Sequence, residues 1–210
     1  MFQDAYVKLN KQETAKIVDS LSPHLDGSSI DPGSAVVMSR ELPFYPGSKF
    51  LDLADHRTMP PARRFVIIAN GNAHILDFTN QPIYQLNESY PIRLTLDNVT
   101  DYVRFFFSFV RGRHGRFLII ESVDDIPWRE EPAPSGRKAI GKMVAPMNVT
   151  EIPAPLGAGH QKTYHLTAYM LFKDSLFRAD IEVADTGQVK ILQETLLIED
   201  IPVIDDTLGQ

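Results

Sequence analysis

The sequence contains no cysteine and a single tryptophan, Trp128. Without cysteine the chain can form no disulfide, no thiolate nucleophile and no thiolate metal site. It also lacks an apolar run long enough to cross a bilayer. Its N-terminal segment lacks the basic start and apolar stretch that are typical of a secretory signal. We therefore expect a cytoplasmic protein that does not associate with membranes.

Basic residues are fewer than acidic ones, with 21 Lys and Arg against 27 Asp and Glu. The net charge is therefore −6 at pH 7. Such a chain gains no long-range attraction to phosphate backbones or to anionic membranes. We therefore expect no nucleic-acid partner. The deficit is clearest at the C-terminus, where residues 199–210 carry four acidic side chains and no Lys or Arg and are predicted to form a short acidic tail.

Length and composition favour one globular domain. A chain of 210 residues that is 43% hydrophobic can bury a core without disulfides or metals. Residues 1–48 contain a first helix near residues 10–21 and a short strand at 35–38, but proline and glycine make the rest loop-rich. No internal repeat or alternation of strand and helix is visible. The sequence therefore predicts a single α+β domain over residues 1–210.

Strand patterns dominate the middle of the chain. Two apolar runs flank Asn70 and Gly71, a pair that accepts the positive φ angles of a tight hairpin turn. Short apolar runs at residues 82–86 and 92–95 also favour strands. The apolar run at residues 116–121 indicates a further strand with both faces covered.

The last third of the chain predicts a three-stranded meander. Its runs cover residues 163–172, 175–183 and 188–197, and short turns between them require antiparallel pairing. In the middle run polar and apolar residues alternate, which indicates one face in water and one in the core. The predicted fold class is thus α+β, with an antiparallel, curled sheet packed on one main amphipathic helix at residues 96–111.

That helix has an unusually wide apolar surface. Nine apolar side chains between Leu96 and Val110 cover an arc of roughly 200° at helical spacing, about twice what one sheet needs. Either the sheet wraps around the helix, or a second element or a second subunit covers its other flank. Asp101 and Arg104 lie on the narrow polar side, three residues apart, where they can form an ion pair.

Basic residues follow this helix directly. Arg111, Arg113, His114 and Arg116 could bind an anion together, and of these we would assign Arg113, His114 and Arg116 as ligands. The alternative is that they neutralise the negative C-terminal end of the helix dipole, which repels anions. The helix polarity favours the second interpretation.

Motifs for nucleotide or acyl chemistry are incomplete. Residues 136–143 match the spacing of a phosphate-binding loop, but Met143 stands where the Mg²⁺-binding Ser or Thr should be. Ser135 and Lys138 fit a serine–lysine pattern, yet the sequence places them in a loop. No metal site or cofactor is predicted.

The sequence identifies no function, and it favours a non-catalytic soluble binding or interaction domain. Its partner would be another protein or a second copy of the chain, bound beside the helix at residues 96–111. The alternative is a small-molecule-binding domain or an enzyme, with its site in the concavity of the sheet and the loops at residues 124–137 and 153–161 as lids. For that site we would test Arg137, Lys138, His160 and His165 first.

Overall fold

The computed structural model describes residues 6–24, 30–113, 115–153 and 162–204 of the chain. Within them the fold is α+β, with four α-helices and antiparallel strands in curled sheets, which confirms the predicted class. The chain divides into two compact units, Met1–Pro91 and Ile92–Gln210. Each unit has its own sheet, and the organisation of residues 1–210 as one domain stays a prediction.

The N-terminal unit is built on a five-stranded antiparallel sheet whose strands follow one another in chain order. These strands are β1 (Val7–Lys8), β2 (Ala35–Arg40), β3 (Lys49–Asp55), β4 (Ala62–Ala69) and β5 (Asn72–Leu76). Each strand pairs with the one that precedes or follows it along the chain.

A capped helix, α1 (Lys11–Leu21), packs on this sheet. The Asn10 side chain accepts a hydrogen bond from the Glu13 N–H at 3.0 Å, and the Glu13 carboxylate accepts one from the Asn10 N–H at 3.0 Å. This capping box satisfies two backbone donors that the first turn would leave unpaired. Val18 and Leu21 are buried in a cluster with apolar side chains of β2, β3 and β4.

The hairpin between β4 and β5 confirms the prediction from Asn70 and Gly71. Their φ angles are 48° and 77°, in the left-handed region that a two-residue hairpin turn requires. The turn brings Ala69 opposite Asn72, and the pairing continues without a shift to Phe65 and Leu76.

Two strand predictions are wrong in this region. Residues 82–86 lie within a helix, α2 (Gln81–Ser89), and residues 92–95 form no strand. Pro82 sits in the first turn of α2, where its missing N–H leaves no intrahelical bond unmade. Ile83 and Leu86 are three residues apart, share one side of the helix and are buried.

The C-terminal unit contains the second sheet, with the order β11-β10-β9-β7-β6 and with β8 also paired to β9. Its strands are β6 (Arg111–Gly112), β7 (Gly115–Ile119), β8 (Asn148–Ile152), β9 (Thr163–Phe172), β10 (Ser175–Ala184) and β11 (Val189–Ile198). The strands β9, β10 and β11 form the predicted meander. β7 pairs with one end of β9 and β8 with the other, so β9 is the centre of this sheet.

The predicted amphipathic helix is α3 (Val99–Phe109), shorter at both ends than residues 96–111. Its apolar side chains are buried within the chain, on both flanks of the helix: Val99, Tyr102, Val103, Phe105, Phe106, Phe107 and Phe109. The seven residues of the arc that lie in α3 are therefore covered without a second subunit, whereas Leu96, which precedes the helix, is 48% exposed.

Ion pairs cover the polar side of α3. Arg104 contacts Asp101 at 2.8 Å and Glu121 at 2.7 Å. Burial raises the pKa of Glu121, but hydrogen bonds from Arg104 and from the Met147 N–H outweigh it, so the net pKa lies below its ordinary value. Glu121 thus links the helix to the segment that enters β8.

A fourth helix, α4 (Pro134–Gly141), begins inside the predicted loop at residues 124–137. Pro134 occupies its first turn, where proline is well tolerated. Most of the near-match to a phosphate-binding loop lies in this helix and its C-cap, so it forms no cradle of free N–H groups.

Part of the predicted acidic tail is packed. Ile201 and Val203 are buried in an apolar cluster with Ile126 and Leu171. The Ile201 N–H donates to the Asp174 carbonyl at 2.9 Å. Residues 205–210 of the tail lie outside the described residues.

Candidate functional site

One face of the C-terminal sheet carries polar side chains in the region where four strands, β8, β9, β10 and β11, lie side by side. Along β9, Tyr164, Leu166 and Ala168 are buried, whereas His165 and Thr167 are partly exposed. The strand period of two creates this division, and β10 repeats it with its own alternation. The exposed face is therefore the water-facing surface that the sequence predicted for the meander.

A first row of side chains crosses the four strands through His165. Thr150 of β8 and Glu182 of β10 lie on either side of it in register, and Lys190 of β11 lies beyond Glu182. His165 Nε2 is 3.3 Å from one carboxylate oxygen of Glu182, and Lys190 Nζ is 3.8 Å from the other. Glu182 therefore holds the imidazole from one side.

A second row runs parallel to the first and contains Asn148, Thr167, Asp180 and Gln193. The Thr167 hydroxyl donates to Asp180 Oδ1 at 3.1 Å, and Arg178 Nη2 lies 3.6 Å from the same oxygen. The side chains of this row offer hydroxyl, carboxylate and amide groups within reach of one another.

A bulge in β11 shapes the end of these rows. Asp180 pairs with Gln193, but the next residue of β10, Ile181, pairs with Ile191. Leu192 is thus an extra residue in β11, and its side chain is 53% exposed. A bulge changes the direction in which side chains point. Here it adds one apolar side chain to the otherwise polar end of the two rows.

The rows enclose a half-open depression of about 380 Å³. This volume is within the range of about 300–1,000 Å³ that small-molecule sites occupy. The residues that line it come from all four strands, and two of them, Leu166 and Ile181, have side chains buried in the core: Asn148, Thr150, His165, Leu166, Thr167, Asp180, Ile181, Leu192 and Gln193.

Of the residues predicted as ligands, His165 lines this depression and the other described ones lie elsewhere. Arg137 forms ion pairs with Asp124 and Glu131, and Lys138 is exposed on α4. His160 lies outside the described residues. None of residues 124–137, all of which are described, lines the depression, so this segment gives no support to a lid.

The arginines after α3 lie in the β6–β7 hairpin. Arg113 is exposed at the turn, and Arg116 pairs in register with Arg111. Partial burial and the facing Arg111 lower the pKa of Arg116. The last turn of α3 contains no basic residue, so these arginines follow the helix end rather than belonging to it. His114 lies outside the described residues.

Metal and nucleophile chemistry find no support in the described part of the chain. No group of three His, Asp or Glu side chains there could hold a metal ion. Among the same residues no Ser or Thr hydroxyl donates to a histidine ring, although Thr150 lies opposite His165. Ser135 is exposed in the first turn of α4 and Lys138 is exposed as well, so the serine–lysine pair lacks a desolvated base.

None of the helices described is long and apolar enough to cross a membrane.

Comparison of the chain with protein-family models, with curated proteins and with solved structures finds no match in any of the three.

Sequence reasoning missed most of these residues. Asn148, Thr150 and Gln193 reach the depression through the pairing of β8 with β9 and through the bulge in β11. The one signal that could have found part of the site is the polar face of β10, where Asp180 and Glu182 alternate with buried residues.

Proposed function

We propose that the chain is a non-catalytic binding protein and that the depression on the C-terminal sheet holds a small polar ligand. The observation that carries this proposal is the convergence of polar side chains from four strands on one concave surface. Ligand sites usually combine a preformed concavity with a few placed polar groups. Extended strands hold these groups more rigidly than loops would.

The ion pairs and the hydrogen bond already present on this face favour binding over catalysis. His165 and Lys190 both contact Glu182, and Thr167 donates to Asp180. A general base removes a proton from a neighbouring nucleophile or from the substrate. No Ser or Thr hydroxyl of the described residues donates to His165, so this part of the chain provides no nucleophile there. The face therefore offers hydrogen bonds in a fixed arrangement.

Ligand screening by thermal unfolding would test the proposal on the full chain. The panel would contain neutral polyols, amines, carboxylates and inorganic phosphate. We expect a ligand of the site to raise the unfolding temperature of the wild type and of Glu194→Ala, but not of Gln193→Ala or Thr167→Val. Glu194 is the matched control because it follows Gln193 in β11 and pairs with Ala179 on the other face.

Two outcomes would contradict the proposal. In one, no compound of the panel stabilises the wild type. In the other, the stabilisation survives unchanged in both Gln193→Ala and Thr167→Val, which would place the binding elsewhere on the chain.

A second candidate function is self-association through β11. This strand has ten residues, and no described strand pairs with its outer side. Leu196 is 46% exposed on it, which is unusual for an edge because exposed apolar edges invite pairing with another chain. The bulge at Leu192 works in the opposite direction, since bulges protect edges from such pairing.

Light scattering across a concentration series would decide this second candidate. We expect Leu196→Lys to lower the apparent mass relative to the wild type. Met143→Lys is the control, because Met143 is 42% exposed but lies outside the sheet. A wild-type mass that equals one chain at every concentration would rule self-association out.

A further inference from the structure

We propose that the ligand of the depression is uncharged and rich in hydroxyl groups, with a ring such as that of a saccharide. This inference rests on the proposed function, because it names the chemical class that the same site would bind.

The charges around the depression are paired and balanced. Arg178 and Lys190 carry the positive charges, and Asp180 and Glu182 carry the negative ones. A charged ligand would meet no excess of opposite charge here. The desolvation of a charged ligand would therefore cost free energy that the site does not compensate. A neutral ligand fits the site better than an ammonium or a phosphate group.

Hydrogen-bonding groups of both kinds remain available on this surface. Among the described residues, the side-chain amides of Asn148 and Gln193 have no protein partner, and each amide can donate and accept. Asp180 uses Oδ1 for Thr167, and its Oδ2 has no partner among the described residues. Hydroxyl groups match this mixture, since each hydroxyl both donates and accepts.

Leu192 adds the one exposed apolar side chain of the lining. A saccharide ring presents hydroxyl groups at its edge and C–H groups on its faces. Such a ring can place its hydroxyl edge on the second row and a C–H face against Leu192. A fully apolar ligand would leave most of the lining without hydrogen bonds, which disfavours that class.

The test is amide chemical-shift mapping on the isotope-labelled full chain. The neutral probes are the methyl glycosides of glucose, mannose and galactose together with myo-inositol, and the charged probes are spermidine and inorganic phosphate. We expect at least one neutral probe to shift the amide signals of Thr150, Thr167 and Gln193 in a saturable way. The charged probes should leave those signals unchanged.

Variants give the residue-level readout. Asp180→Ala should weaken binding of the neutral probe by about ten-fold or more, because a hydrogen bond to a carboxylate is lost. Asn148→Ala should weaken it as well, and it is the safer variant because Asn148 is exposed at the end of β8. Glu194→Ala should bind like the wild type.

The outcomes separate the two proposals. If spermidine or phosphate shifts these signals and no neutral probe does, the site binds a ligand but the class inferred here is wrong. If no probe shifts them, both the site and the class are rejected. If a neutral probe binds equally well to Asp180→Ala and Asn148→Ala, the second row does not recognise it and the inference fails.

Discussion

Asp55, at the end of β3, shows how one buried carboxylate organises a corner of the N-terminal unit. Only 5% of its side chain is exposed. It accepts hydrogen bonds from the Ser34 hydroxyl at 2.8 Å and from the backbone N–H of Arg57 at 3.0 Å, and the Arg57 guanidinium contacts it as well. The hydrogen bonds from Arg57 are the main cause that holds the pKa of Asp55 well below its ordinary value.

This low pKa predicts a pH-dependent cost for Asp55→Asn. Because the folded pKa is depressed, the contribution of the carboxylate is complete above its unfolded pKa of about 3.9 and is lost as pH falls below that value. We expect Asp55→Asn to lower the free energy of unfolding by about 1.5–3 kcal/mol at pH 7. Urea titrations at pH 7 and pH 3 should show the gap between variant and wild type shrinking at the lower pH.

The control for this prediction is Asp19→Asn. Asp19 is exposed on α1, so its replacement should change stability little at either pH. A gap between Asp55→Asn and the wild type that is equally large at both pH values would contradict the assigned role of the carboxylate.

We expect the same substitution, glycine to alanine, to change stability in opposite directions at two positions. Gly71 has a φ of 77° with open space around an added Cβ, so Gly71→Ala suffers from backbone strain alone. We expect it to destabilise by about 1–2 kcal/mol. Gly136 lies in α4 with its nearest neighbour, Pro132, 3.9 Å from an added Cβ, and Gly136→Ala should stabilise by about 0.5 kcal/mol.

Denaturant titration of both variants checks the pair. Since the mutation is chemically identical, the difference in sign isolates the backbone conformation as the cause. Equal effects of the same sign at both positions would contradict the conformations assigned to the hairpin turn and to α4.

At the scale of elements, α3 is attached to the meander by a buried hydrogen bond. The Tyr102 hydroxyl donates to the Gly187 carbonyl at 2.6 Å, and the Tyr102 side chain is fully buried. Gly187 lies in the turn between β10 and β11, so this contact joins the helix to the far end of the sheet.

We expect Tyr102→Phe to destabilise the C-terminal unit by about 1–3 kcal/mol, because the Gly187 carbonyl would stay buried without its donor. Equilibrium unfolding monitored by circular dichroism would measure the loss. Ser108→Ala is the control, since Ser108 is exposed on the same helix and donates only to the Arg104 carbonyl. A cost for Tyr102→Phe no larger than that for Ser108→Ala would show that the bond is unimportant.

The elements that sequence reasoning found are those with a local cause. Asn70 and Gly71 specify their hairpin by backbone preference, and the spacing of apolar residues specifies α3. α2 was missed because its short apolar run was interpreted as a strand, and α4 was missed because proline was interpreted as a mark of a loop. Both helices have a proline in their first turn, Pro82 in α2 and Pro134 in α4. At that position proline favours the start of a helix, although elsewhere it ends one.

The candidate site was much harder to predict than the elements around it. His165 was named, but the side chains opposite it come from pairings that cross long stretches of chain, such as Thr150 with His165. A shift of one residue in any of these registers would turn Asn148 or Gln193 to the other face. The bulge that exposes Leu192 was not predicted either, because it is a shift in the register between β10 and β11.

At the scale of the whole molecule, each unit has an apolar cluster of its own. Leu53 is fully buried in the cluster under α1, and Leu171 is buried in the cluster that contains Ile201. Truncating either leucine to alanine removes buried methyl groups and leaves a cavity, which costs about 2–5 kcal/mol. Because the two clusters lie in different units, we expect each substitution to act mainly on its own unit.

Calorimetry and amide hydrogen exchange on the full chain would test this expectation. Leu53→Ala should lower one thermal transition and speed exchange in β3 and β4, whereas Leu171→Ala should lower a second transition and speed exchange in β9 and β10. Ser108→Ala serves again as the control, because an exposed hydroxyl contributes little to either cluster. If both leucine variants instead lower one common transition by similar amounts, the units unfold together, and the single cooperative domain that the sequence predicts for residues 1–210 is the better description.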